Sequence, residues 1–412
     1  MKTASMSDPG ARAVPFIPGS TVLHYEDLFD ADNLLRGQND ASQKVLLPYL
    51  QETGRMFNEA IKKYDSSECS GCRVFPSLDL GFPNNVCRLA GGFATGMLLA
   101  WKCEVPVVPV DATVNVCTSS VFRLKEFDPG RLKRPEELNR SLEQIFRDAY
   151  EEKGYSFSFT SGNHFLMIGR NESSQTGDEY YLVLHSSAND LKKSYMGLYP
   201  AEGNWYADRL EKLNGKNGRY IRYLTGDDAR YFITMAHHFE DYNEKIHRWL
   251  ADKIDNGRSI SGEGGQEWVK HHYYMPTDSS VAIGTFAEPP GTQVPLFSAP
   301  GKPVYIFETG KDNWQADLGG RKGKVCLVPH GWGQKIERIR SVGTDGENLL
   351  LGVGEGVKKI RIDSKARITC PEKQLRQFGD GEEFLRIGSR MVRGEIKLTL
   401  TPVFEYSGSR GR

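Results

Sequence analysis

Apolar residues fall at helical spacing in three stretches and at strand spacing in many shorter ones. The first helical stretch, "SQKVLLPYLQETGRMFNEAIKKY", ends at Tyr64, and Pro48 inside it predicts a break or kink. The second, "RPEELNRSLEQIFRDAYEEKG" over residues 134 to 154, is an amphipathic helix stopped by Gly154. The longest stripe runs through Phe232, Met235, Phe239, Tyr242, Ile246, Trp249 and Leu250 to about Ile254, with Thr225 and Asp228 placed to cap its start. His237, His238 and His247 ride on this helix and read as surface or groove residues. Residues 73 to 124 carry turns, prolines and β-branched runs, as in "FPSLDLGFPNN", "AGGFATG" and "VPVVPVDATVNVCTSSVF". Strands are expected near 164 to 169 and 180 to 185, and again from 281 onward. No linker or internal repeat divides the chain. The pattern is that of an α+β protein, one large domain of mixed β-sheets flanked by helices over residues 21 to 412. Residues 1 to 20, rich in Pro, Gly and Ser, are expected to form a mobile tail.

Composition narrows the class. At 412 residues, 39% hydrophobic and 26% charged, the chain is of ordinary soluble globular make-up. Its 53 basic and 53 acidic residues cancel, which counts mildly against a strong nucleic-acid binder, although a basic groove can hide in a neutral total. No apolar run is long enough to span a bilayer, and the first twenty residues lack the apolar core of a secretory signal. The expected location is the cytoplasm, with no membrane partner. The seven cysteines are odd in number and scattered, which suits reduced thiols better than a disulfide framework. Cys69 and Cys72 form one "CSGC" with no second pair nearby, so they read as two thiols in a turn.

The candidate chemistry lies in histidines at strand ends. His164 enters an apolar run in "SGNHFLMI". His185 stands where "YLVLHSSAND" turns from apolar to small and polar, and His272 lies in "KHHYYMP". His330 follows the run Val325 to Pro329 in "VCLVPHGWGQKIER", with Gly331 and Gly333 beside it. Strand ends gather residues from distant sequence onto one rim. Neutral imidazole is a metal ligand and a nucleophile, and neighbouring glycines let a bulky ligand approach the main chain. Spacings of 21, 87 and 58 residues between these histidines match no local metal motif. The chain has no P-loop, no dinucleotide fingerprint after a strand, no "HExxH" and no "GxSxG".

In order along the chain, these segments resemble the RtcB family of RNA-splicing ligases. "FPSLDLGFP" is similar to the family's "MPDVHxGxGFP", "PVDATVNVCTSSVFRL" to "PxxVGVDIxCGVRLL", "SGNHFLMI" to "GSGNHFLEI" and "LHSSAND" to "VHSGSRG". The long helix with Asn243, "HHYY", "HGWGQKIER" with Arg338 in register, and "LTPVFEYSG" continue the series. The resemblance implies an RNA ligase that uses GTP and manganese, with zinc as the other candidate metal. It would join RNA 3′-phosphate or 2′,3′-cyclic phosphate ends to 5′-hydroxyl ends, with an archease-type protein as a helper. It also implies that His330 is the guanylylated nucleophile, and that Asn163, His330, Gly331, Gly333 and Ser407 contact the nucleotide. His164, His185 and His272 would bind metal, with Asn115, Thr118 or Cys117 completing the set.

Several charged family positions are neutral in this chain. Asn115 and Thr118 stand at the family's metal-binding aspartate and cysteine, and Cys117 is one place off, on the opposite face of a regular strand. Met167, Asn189, Ala282, Ile283, Gln334 and Ser407 replace family Glu, Arg or Lys residues, and Trp332 puts a large ring beside His330. At most one tightly held transition metal is therefore expected. The alternative to a divergent ligase is a related protein of the same fold that binds RNA ends, a nucleotide or a protein partner without joining anything.

Overall fold

The computed structural model describes residues 13–14, 41–112, 114, 116–159, 164–174, 179–187, 198–256, 267–297, 301–311, 313, 315–318, 322–363, 365–377 and 392–408. Asn115, Asn163 and Asn189 lie outside these residues, as does the expected tail apart from Ala13–Val14. The fold is mixed α and β, with four α-helices and many strands in several sheets among the described residues. Among the described residues the strand pairings are antiparallel except for Ala13–Val14, which pairs in parallel with Gln315–Asp317. Among the described residues no helix is long and apolar enough to cross a membrane.

Helices form where the stripes predict them, with three local differences. Ala41–Lys62 runs as one helix through Pro48. The missing Pro48 N–H leaves one carbonyl without its helical partner, a cost of about 3 kcal/mol. The buried face, with Leu46, Tyr49, Leu50, Met56, Phe57 and Ile61, outweighs it. Pro135–Lys153 starts on Pro135 with Glu136 and Glu137 in its first turn, and ends at Gly154 in the left-handed region, as expected. In Gly226–Ile254, Thr225 occupies the cap position but its hydroxyl donates to Glu211 instead (3.0 Å), and Asp228 pairs with Arg209. On the same helix His238 is exposed, whereas His247 is fully buried. A surface reading of His247 is thus corrected: it occupies the face turned toward the sheet.

The largest sheet has seven strands in the order Glu267–His271, Cys117–Leu124, Tyr180–Ser187, Phe165–Asn171, Gly394–Glu405, Val304–Thr309 and Gln293–Leu296. A four-stranded sheet joins Tyr273–Thr277, Ser280–Ile283, Thr95–Lys102 and Gly71–Gly81. The pair Lys324–Pro329 and Thr285–Glu288 belongs to a third sheet. These sheets meet around residue 272. The backbone N–H of His272 donates to Cys117 (3.0 Å), its carbonyl accepts from Gly284 (2.5 Å), and Phe297 donates to the His330 carbonyl (3.2 Å). Strand ends from three sheets are thereby brought to one place.

Candidate metal centre

The register of the seven-stranded sheet decides which side chains meet. Ser119 lies opposite His185, and Thr118 lies opposite both Ser186 and His271. With a side-chain period of two, Cys117, Ser119 and His185 share one face, while Thr118, Ser120 and Ser186 share the other. On the first face the donor atoms of Cys117, His185 and His272 all lie within 4.8 Å of one another, and all three residues are buried. Cys117 Sγ is 3.2 Å from His185 Nε2 and 3.4 Å from His164 Nε2, and His185 Nε2 is 3.1 Å from His272 Nε2. This cluster could hold a metal ion. A tetrahedral centre with metal–nitrogen bonds of about 2.0–2.1 Å and a metal–sulfur bond of about 2.3 Å needs donors roughly 3.3–3.6 Å apart. These three spacings come within a few tenths of an ångström of that, although His164 lies outside the group whose donors are all within 4.8 Å of one another.

The outer ring nitrogens are held by hydroxyls. His164 Nδ1 is 2.7 Å from Ser158 Oγ, and His272 Nδ1 is 3.3 Å from Ser119 Oγ. Such bonds turn the opposite nitrogen, Nε2, toward the shared centre, as the partners of a metal-bound histidine do. Burial first, and then the neighbouring imidazoles of His330 and His185, push the His272 pKa well below its usual value. His272 is thus held in the neutral form that a metal requires.

His330 stands at the edge of this group. Its ring stacks on His272, with centroids 4.8 Å apart and planes at 23°, and lies 6.4 Å from the His185 ring. His330 Nδ1 is 2.7 Å from Asp79 Oδ2, which also accepts from the His330 backbone N–H at 3.2 Å. Ser77 Oγ donates to the other Asp79 oxygen (3.0 Å), and Thr285 Oγ1 is 3.2 Å from Ser77 Oγ. Asp79 falls in Gly71–Gly81, where the register with Thr95–Lys102 shifts between Pro76 and Gly81. That irregularity aims its side chain at His330. Both residues are almost fully buried, with 1% and 2% exposure. An Asp–His pair of this form favours the tautomer with the proton on Nδ1, which leaves the lone pair on Nε2.

Three expectations about individual residues, at Thr118, Cys117 and Gly331, are corrected. Thr118 does not face the cluster: it is 2.8 Å from His271 Nδ1 and accepts from Asn243 Nδ2 at 2.5 Å. Cys117 does face it. The residue before it, Val116, is buried with φ at 37°, a left-handed backbone for a β-branched side chain, which marks a local distortion at the strand's start. Gly331 makes no room for a ligand: with φ at 107°, a Cβ there would lie 1.9 Å from the Phe297 carbonyl oxygen. The space is filled by the protein's own backbone. Ser407 is exposed and accepts from Asn139 Nδ2 (3.0 Å), with no described bond to the histidine group. Gly333 lies in Trp332–Ile336, paired with Arg376. Sequence reasoning passed over Asp79, Ser119 and Ser158; the signal for Asp79 was its place inside "FPSLDLGFP".

On the opposite face the helix Gly226–Ile254 seals a second polar layer. His247 lies between Ser120 Oγ (2.8 Å) and Ser186 Oγ (2.7 Å), and His271 between Thr118 and Glu244 (3.1 Å). The segment leading to Cys117 is anchored by buried Asp111, which accepts from Arg222 Nε (3.0 Å) and Nη2 (2.5 Å). Burial pushes the His247 pKa down to about 3. The unfolded value is about 6.5, so between these limits the unfolded chain binds the extra proton. The stability that neutral His247 contributes is complete above about pH 6.5 and is lost on acidification at up to about 1.4 kcal/mol per pH unit. Urea midpoints measured at pH 7 and pH 5 are expected to show this fall and to show less of it in His247→Gln; equal falls would contradict it.

No protein-family model and no curated protein matches the chain.

Proposed function

We propose that the protein is a divergent RNA ligase in which His330 is the nucleophile and one transition metal sits on Cys117, His164, His185 and His272. The observation that carries this reading is the buried Asp79–His330 pair stacked directly on the metal-competent imidazoles. In the proposed reaction His330 Nε2 attacks the α-phosphorus of GTP, the bond to the β-phosphate breaks, and pyrophosphate leaves. The positive charge that grows on the imidazole is met by Asp79 at Nδ1. The guanylyl group then passes to an RNA 3′-phosphate, which returns a neutral His330. A 5′-hydroxyl attacks that activated phosphate, the phosphodiester forms and GMP departs. A bound divalent cation supplies neutralisation of charge on phosphoryl oxygens. The donor set, one thiolate and three imidazoles, suits zinc better than manganese, which favours oxygen ligands.

The second reading, a protein of this fold that binds without ligating, has its own supporting observation. Cys117, His185 and His272 offer three buried donors within 4.8 Å of one another, His164 Nε2 adds a fourth near the thiol at 3.4 Å, and His330 is 2% exposed. Closed four-ligand sites are the form that structural metals take. One experiment separates the two. The full chain is incubated with labelled GTP and each metal, denatured, and assayed for an acid-labile adduct. The ligase reading expects an adduct that is lost in His330→Ala. A metal-loaded protein that forms none leaves the binding protein as the function.

A further inference from the structure

Away from the histidine group, a cleft of about 520 Å³ opens between the helix Ala41–Lys62 and the strand Ile339–Thr344. Four cations line it, Lys44, Lys216, Arg219 and Arg340, with Tyr49 on its wall and Glu52 as its carboxylate. Glu52 is already engaged: Arg55 donates to both of its oxygens, at 2.6 and 2.8 Å. Among the described residues none of the four cations forms an ion pair. Lys44, Lys216 and Arg340 are exposed, but Arg219 is only 6% exposed.

Arg219 is the unusual member. Its guanidinium lies 3.5 Å from the Tyr49 ring centroid, Nη1 and Nη2 each donate to the Tyr49 carbonyl at 3.4 Å, Nη2 also donates to Thr53 Oγ1 at 2.9 Å, and buried Nε has no hydrogen-bond partner. A buried cation with no carboxylate in contact is costly, and a ring face and the more distant Glu52 offset only part of that cost. Burial accordingly holds its pKa below the usual arginine range. In a second basic cleft, of about 330 Å³, Arg222 is already neutralised by Asp111.

We propose that the cleft formed by Lys44, Tyr49, Lys216, Arg219 and Arg340 is a binding site for a phosphate group. The anion supplies the charge that Arg219 lacks, and the three exposed cations close around it. The phosphate comes either from a small phosphate ester or from the backbone of an RNA strand. The site's chemistry is common to both, and the proposal is independent of any reaction at His330. The helix that forms one wall also touches the candidate active-site strands: Gln43 Nε2 donates to the carbonyl of Leu78, next to Asp79, and the Ile336 N–H donates to Ser42 Oγ.

The test is binding to the full chain without GTP or added metal. Pyrophosphate is titrated by calorimetry and a labelled twelve-nucleotide single-stranded RNA by anisotropy, both at low salt. The variants are Lys44→Gln/Lys216→Gln/Arg340→Gln, all at exposed positions, and Lys212→Gln/Arg361→Gln in the second cleft as a control. At least one probe is expected to bind wild type and to weaken about tenfold or more in the triple variant, with a change under about twofold in the control. Loss confined to pyrophosphate assigns a small ester, and loss confined to RNA, or shared with it, assigns the strand. The proposal is overturned if neither probe binds, if the triple variant binds both as wild type does, or if the control loses as much.

Discussion

Asp79→Asn is expected to form the His330 adduct about 10³- to 10⁴-fold more slowly than wild type while keeping its metal. The amide is nearly the size of the carboxylate, so the ring should stay in place. What changes is the proton. Asp79 accepts at Nδ1 through one oxygen, while Ser77 donates to the other. An asparagine can turn its N–H₂ toward Nδ1, which moves the ring proton to Nε2 and removes the nucleophilic lone pair. It also removes the negative charge that stabilises an imidazolium. Single-turnover labelling with GTP, alongside metal analysis, reads both quantities. Unchanged labelling would sink the role given to Asp79, and a parallel loss of metal would make the residue structural.

The second large effect concerns the thiol. Cys117→Ser is expected to lower metal affinity by more than the about 10- to 100-fold that loss of an outer hydrogen bond costs, because it removes a bond to the ion itself. Serine preserves shape at a buried position, so thermal stability of the metal-free protein should change little. Ser158→Ala is the graded companion: His164 keeps its donor atom but loses the hydroxyl that orients the ring, which places its effect inside the 10- to 100-fold range. A competition titration with a chromophoric chelator measures all three proteins. Wild-type affinity in Cys117→Ser would move the centre elsewhere and leave the thiol as a packing residue.

Much of the fold was legible because its elements are local. Helical periodicity located Ala41–Lys62, Pro135–Lys153 and Gly226–Ile254, and the apolar runs located Phe165–Asn171 and Tyr180–Ser187. Pro48 misled because the cost of one lost hydrogen bond is local, while the burial that outweighs it belongs to the packed helix. Thr225 misled for a related reason: its hydroxyl had a carboxylate partner, Glu211, on another strand.

The candidate site divides along the same line. By itself the amino-acid sequence determined that His164, His185 and His330 each stand at the end of an apolar run, because runs and their ends are local properties. Only the tertiary structure decided that these ends coincide, that Cys117 and not Thr118 faces them, and that Asp79 holds His330. The physical reason is that a strand's two faces are equivalent until its neighbours and their register are set. A one-residue slip in that register would exchange every side chain between the metal-competent face and the layer sealed by the long helix.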